Sequence, residues 1–285
     1  MIENKSLYPF TSNFIKIGDL NYHYLDEGEG PVLIMLHGNP TWSFYYRNLI
    51  KAYSGSYRCI VPDHIGCGYS DKPQDYQYRL ENHVNNLGAL VEHLKLDSYS
   101  LIMHDWGGPI GLGHAGLHAD QIKKMTFFNS TCNLCMDYPI RIKLCTTPII
   151  GPFMIRRMNF FAGGATKMAV KKKMSADVAQ GFKAPYDTYE NRIANLQFVL
   201  DIPLSKKHPT WDYGQGLVER LKNLADKPIQ ILWGKKDFCF DDIFLDGFRS
   251  QFPNADIHEF PNAGHYVLED EIDAIIPIVR EFHDA

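Results

Sequence analysis

Tyr99-Ser100-Leu101-Ile102-Met103-His104-Asp105-Trp106-Gly107-Gly108 is the stretch that decides the fold. Its apolar run, Tyr99 to Met103, reads as a buried strand. Gly107, Gly108, Gly111, Gly113 and Gly116 then let the following helix approach that strand closely. A strand, a sharp turn and a helix lift the side chain at the apex, here Asp105, above the sheet. A carboxylate in that place attacks saturated carbon and makes an ester that a second step has to hydrolyse, whereas a serine attacks carbonyls and needs a base first. The residue type therefore points to alkyl transfer rather than ordinary ester hydrolysis.

Upstream of this turn, Phe14 to Ile17, Asn21 to Leu25, Val32 to Leu36 and Tyr57 to Val61 read as strands. Leu80, Val84, Leu87, Val91 and Leu94 recur at the three- and four-residue spacing of one helix face. Downstream, Met125 to Phe128, Ile229 to Trp233 and Ile257 to Phe260 are further strands, and a terminal helix is expected from about Val267 to Phe282. The alternation predicts a mostly parallel central sheet with helices on both faces. About a hundred residues separate the strand ending at Phe128 from the one starting at Ile229, far more than one crossover needs. That excess predicts a helical cap, with amphipathic stretches around Ile155 to Val170, Val178 to Phe182 and Tyr189 to Leu200. The expected division is a core over residues 1–130, a cap over 131–214 and the rest of the core over 215–285.

The chain has 285 residues and a net charge of −4, enough to bury the core of one such domain. Without a basic stripe carrying interleaved aromatics, nucleic acid is not an expected partner; small molecules are. Met1 to Phe14 mixes charge with aromatics and has the pattern of neither a secretory signal nor a membrane span, so a cytoplasmic location is expected. Six cysteines lie scattered, and Cys132-Asn133-Leu134-Cys135 has no second pair or histidine cluster to make it a metal site. From Met136 to Leu200 there are ten Lys or Arg against four Asp or Glu. That asymmetry reads first as a solvated helix face and second as a surface for a homo-oligomer, another partner or an anionic membrane.

A nucleophile at Asp105 needs a base for the second step, an acid to orient that base and donors for the departing anion. His265, in Asn262-Ala263-Gly264-His265-Tyr266, follows the last strand, and Asp237 follows the strand ending Leu232-Trp233-Gly234. Asp242 is the rival acid, lying farther past that strand. In His37-Gly38-Asn39-Pro40, after Val32 to Leu36, Asn39 offers a backbone N–H and a side-chain amide beside the turn. The Asn39 amide and the Trp106 indole N–H are uncharged donors able to converge on one anion, and the backbone N–H groups of the same two residues are the expected oxyanion hole. Gly66-Cys67-Gly68-Tyr69-Ser70 lacks the lysine of a phosphate loop and reads as a structural turn; His114 and His118 lack the glutamate of a zinc protease and read as helix packing. No metal or cofactor is expected.

His37-Gly38-Asn39-Pro40-Thr41-Trp42-Ser43-Phe44, Asp63-His64-Ile65-Gly66-Cys67-Gly68 and His104-Asp105-Trp106-Gly107-Gly108 together resemble the haloalkane dehalogenases of the α/β-hydrolase fold. Ala184-Pro185-Tyr186-Asp187 and Phe198-Val199-Leu200-Asp201-Ile202-Pro203 bring the likeness nearest to the third subfamily, which includes β-lactone decarboxylases of bacterial long-chain olefin biosynthesis. By that resemblance Asp105 is the nucleophile, His265 the base, Asp237 the third member, and Asn39 with Trp106 the halide-stabilising pair. Another branch takes a glutamate after the sixth strand, where Phe128-Asn129-Ser130-Thr131 offers none. One departure is Met103, standing where the generic turn pattern has glycine.

The expected activity is hydrolysis of a carbon–halogen bond through an aspartyl ester, giving alcohol and halide, with a small hydrophobic alkyl halide as substrate. The alternative is β-lactone decarboxylation to a cis-olefin and carbon dioxide on the same residues. Third stands an epoxide hydrolase with Tyr138, Tyr186 or Tyr189 as acids. From a different class, a non-catalytic ligand-binding protein could keep the fold.

Overall fold

The computed structural model describes residues 5–134 and 139–285; Cys135 and Tyr138, singled out above, lie outside them. One sheet of eight strands organises the chain: β1 (Ser12–Ile17), β2 (Leu20–Glu27), β3 (Val32–Leu36), β4 (Arg58–Pro62), β5 (Tyr99–Asp105), β6 (Ile122–Ser130), β7 (Ile229–Gly234) and β8 (Asp256–Phe260). Their order is β1-β2-β4-β3-β5-β6-β7-β8. The β1–β2 and β2–β4 pairs are antiparallel and all others parallel. The strands lie where the sequence places them, Val32–Leu36 to the residue and the others with no end more than three residues away. Tyr57 is in the turn before β4, and β5 runs on to the apex residue.

Strand side chains alternate between two cores. Ile34, Leu36, Leu101, Met103, Phe127 and Ile231 point to one face. It is covered by α2 (Leu80–His93), α3 (Gly107–Ala115), α9 (Trp211–Arg220) and α10 (Asp242–Gln251). Leu33, Met35, Ile102, Phe128 and Leu232 point to the other, against α1 (Arg47–Tyr53) and α12 (Ile272–Asp284). Central strands buried on both faces are why their sequences run apolar without a break.

Between β6 and β7 the chain forms α4 (Ile140–Cys145), α5 (Ile150–Pro152), a π-helical turn (Phe153–Arg157), α6 (Phe160–Met168), α7 (Ala176–Lys183) and α8 (Ile193–Leu200), then α9. The amphipathic stretch around Ile155 to Val170 is divided between the π-helical turn and α6, with Met158 and Asn159 between them. Asn159 takes a left-handed φ of 51° ahead of α6, and its amide donates to the Tyr186 carbonyl at 3.2 Å, which holds the break in place. The terminal helix is likewise interrupted, α11 (Val267–Asp270) being separated from α12 by Glu271 with φ −133°.

Candidate active site

The sharp turn at the end of β5 places Asp105 at φ 51°, a strained conformation for a non-glycine residue, with its side chain 7% exposed. Two close approaches make this possible. A Cβ at Gly38 would sit 2.0 Å from Asp105 Oδ1, so only glycine lets the loop after β3 pass so near. A Cβ at Gly111 would meet Met103 Sδ at 2.3 Å. The methionine that replaces the usual glycine therefore packs into room that a glycine one helical turn into α3 leaves open. The Ser130 hydroxyl, at the end of β6, donates to the Asp105 carbonyl at 2.7 Å and ties down the apex from behind.

The strand ends bring the three sequence-predicted groups together. His265 Nε2 is 3.7 Å from Asp105 Oδ2, and its Nδ1 lies 2.8 Å from Asp237 Oδ2. Asp242 instead pairs with Lys235 at the exposed surface, so the rival acid has no part in the cluster. Asp237 is held by the Cys239 backbone N–H at 2.7 Å and by the Asn129 amide at 2.9 Å. In the sequence, Asn129 stands out only as a residue that is not an acid. Its signal was position: it stands at the end of β6, between the nucleophile strand and the acid strand. His104 is a second missed group. It cannot reach substrate from within the sheet, but its Nε2–H donates to the His265 carbonyl at 2.9 Å and fixes that loop.

The Asn39 backbone N–H donates to Asp105 Oδ1 at 2.6 Å, and the Trp106 backbone N–H also bonds the carboxylate. Burial pushes the Asp105 carboxyl up to about 6, against the lowering effect of His265 and these two N–H groups. Burial works to lower the His265 imidazole, yet Asp237 and Asp105 together more than reverse this and its pKa is raised. Asp105 is therefore an anion at neutral pH with little hydration, a state that favours attack.

Above Asp105 lies a cavity of about 550 Å³ lined by Asn39, Trp106 and His265 on the sheet side and by apolar residues of the helical insertion, among them Ile142, Phe161 and Val199. The Asn39 amide gives one N–H to the Asn195 carbonyl at 3.1 Å, which orients the group and leaves its second N–H without a partner among the described residues. The Trp106 ring leans on Phe198, 5.2 Å between centroids. Tyr186 is buried with its hydroxyl on the Thr41 carbonyl, and Tyr189 is exposed and stacked with Arg156; neither lines the cavity, so neither is placed to protonate an epoxide. His114 meets the Tyr99 hydroxyl at 2.6 Å, in the packing role expected of it. Gly66 and Gly68, both at positive φ, form a turn around the buried Asp63 carboxylate. No group of three metal-ligating side chains occurs among the described residues.

Residues 31–145 match the model of the alpha/beta hydrolase fold. The chain is 39% identical over 284 residues to a cis-3-alkyl-4-alkyloxetan-2-one decarboxylase of Shewanella oneidensis, covering 97% of this chain and 89% of that protein. It is 32% identical to haloalkane dehalogenase 2 of Mycobacterium bovis, covering 96% of each. The crystal structure of a haloalkane dehalogenase from Agrobacterium tumefaciens superimposes with a TM-score of 0.85 at 24% identity, covering 97% of both chains, a likeness of fold.

Proposed function

Since the chain belongs to the haloalkane dehalogenase family of α/β-hydrolase-fold enzymes, we propose that it breaks a bond between saturated carbon and an anionic leaving group through an ester on Asp105. The observation that carries this reading is a single buried carboxylate with the His265–Asp237 pair at one side and the N–H donors of Asn39 and Trp106 at the other.

With an alkyl halide, an Asp105 oxygen attacks carbon in line as the carbon–halogen bond breaks, and the electron pair leaves on halide. The Asn39 amide and the Trp106 indole receive that ion. Alkylation removes the negative charge of Asp105, one of the influences holding the imidazole pKa up. His265 is then freer to take a proton from water. The hydroxide attacks the ester carbonyl, the oxyanion rests on the backbone N–H groups of Asn39 and Trp106, and its collapse breaks the bond to the alkoxide, which takes the proton back from His265 and leaves as alcohol. The insertion, taken as residues 131–214, is the cap that keeps bulk water from the ester.

A cis-3,4-dialkyl β-lactone is the second reading, supported by the 39% identity to the oxetanone decarboxylase and by a cavity with room for two alkyl arms. Asp105 attacks the ring carbon bearing the ring oxygen, and the freed carboxylate takes the place of halide. The bond between that carboxylate and its neighbouring carbon then breaks, its electron pair forms the olefin, carbon dioxide departs and Asp105 leaves as carboxylate. No water is consumed. Assays of the same preparation with a brominated alkane and a cis-dialkyl β-lactone distinguish the two by released bromide and by olefin. Turnover of neither, with Asp105→Asn indistinguishable from the unaltered protein, rejects both.

A further inference from the structure

Large apolar side chains exposed to solvent are concentrated in one short segment. Ile140, Leu144, Ile149, Ile150, Phe153, Met158, Phe160 and Met168 are each more than a third exposed, Ile149 reaching 83%. The same stretch is strongly one-signed: from 140 to 173 there are eight Lys or Arg and no Asp or Glu, in a chain of net charge −4. Lys172 pairs with Glu271, and Arg156 is tied to Tyr189 and Gln74. Arg157, Lys167, Lys171 and Lys173 are exposed and make no ion pair with a described residue. An apolar patch of this extent on a water-soluble surface marks a contact site, and a surrounding excess of uncompensated cations selects an anionic counter-surface.

The patch is also continuous with the cavity. Leu144, Ile150, Phe160 and Met168 line the cavity and are exposed at the same time. We propose that this face docks on an anionic lipid bilayer, so that the cavity opens toward the acyl phase and an apolar substrate enters without crossing water. The segment lies on the surface instead of spanning it, since no helix among the described residues is long and apolar enough to cross a membrane. The advantage in substrate delivery rests on the proposed chemistry, whereas the docking itself does not.

Flotation of the full chain with vesicles of phosphatidylglycerol and phosphatidylcholine, against vesicles of phosphatidylcholine alone, tests the proposal. Binding to the anionic vesicles is expected, weakening in salt as charges are screened. The double substitution Ile149→Glu with Phe153→Glu, at exposed positions that do not line the cavity, should weaken binding at least about tenfold. Lys171→Glu with Lys173→Glu should weaken it comparably, at about fivefold for each cation lost. Unchanged turnover of a short, water-soluble substrate by these variants shows that the fold is intact. Failure of the unaltered chain to bind anionic vesicles overturns the proposal, as does equal binding by the variants. Self-association through this face, seen by light scattering as a dimer that the Ile149 and Phe153 changes dissolve while vesicles go unbound, also overturns it. Because vesicle binding is read without turnover, losing one leaves the other standing.

Discussion

The sheet side of the cavity and its helical side are built by opposite rules. On the sheet side the ionisable groups are held by directed contacts: the Asp105, Asp237 and His265 side chains are buried and fixed by backbone N–H groups, by Asn129 and by one another. On the helical side, Ile142, Leu144, Ile150 and Phe160 offer no directional contact, and several of them also face solvent. The first arrangement fixes charge to within fractions of an ångström, as bond-making demands. The second excludes water and measures size. Chemistry and selectivity should therefore separate under substitution.

The sharpest separation is expected at Asp105. Asp105→Asn should lower kcat by at least about 10⁴-fold for any substrate that the unaltered chain turns over, with its thermal transition nearly unmoved. A loss confined to one substrate would break the comparison. Removing one anion donor, by Asn39→Ala or Trp106→Phe, should cost roughly 10²- to 10³-fold in kcat, measured as initial release of bromide or olefin. The two losses should not add fully, because both groups serve one leaving anion.

Acidity gives the next effect. Alkylation needs the Asp105 anion and falls as pH drops through about 6, the value to which burial has raised that carboxyl. Hydrolysis of the ester needs neutral His265, whose imidazole Asp237 continues to hold up after Asp105 has lost its charge, so this step also weakens as pH falls. Both limbs are on the acid side, and rapid-quench mass spectrometry between about pH 5 and pH 8 should show the halide-derived ester building up as acidity increases, before its formation also slows. The smallest effect belongs to the helical wall. Phe160→Ala should shift chain-length preference by about tenfold in kcat/KM while the best substrate keeps its kcat. A loss of kcat across all chain lengths would mean that the wall takes part in the chemistry.

The two sides also differed in how far the sequence betrayed them. The ends of the central strands are marked where unbroken apolar runs stop, so Asp105, Asn39, Asp237 and His265 are all placed by counting from strand ends, and the resemblance agrees with each. Asn129 and His104 act only through groups distant in sequence, on Asp237 and on the His265 carbonyl, and nothing local announces such a partnership. The insertion was visible as an excess of length and positive charge. Its break at Asn159 was not, because the left-handed turn depends on the Tyr186 carbonyl waiting across the next helix. Met103 at the turn became intelligible only through Gly111, whose missing side chain makes its room.

The central claim is a covalent bond between Asp105 and substrate carbon, and the His265→Phe variant exposes it most directly by blocking hydrolysis of the ester without removing the nucleophile. After incubation with a brominated alkane, intact-protein mass spectrometry should show the mass of one alkyl group added in place of one proton, and peptide mapping should locate it on Asp105. An unmodified variant, under conditions where the unaltered chain releases bromide, would contradict the account.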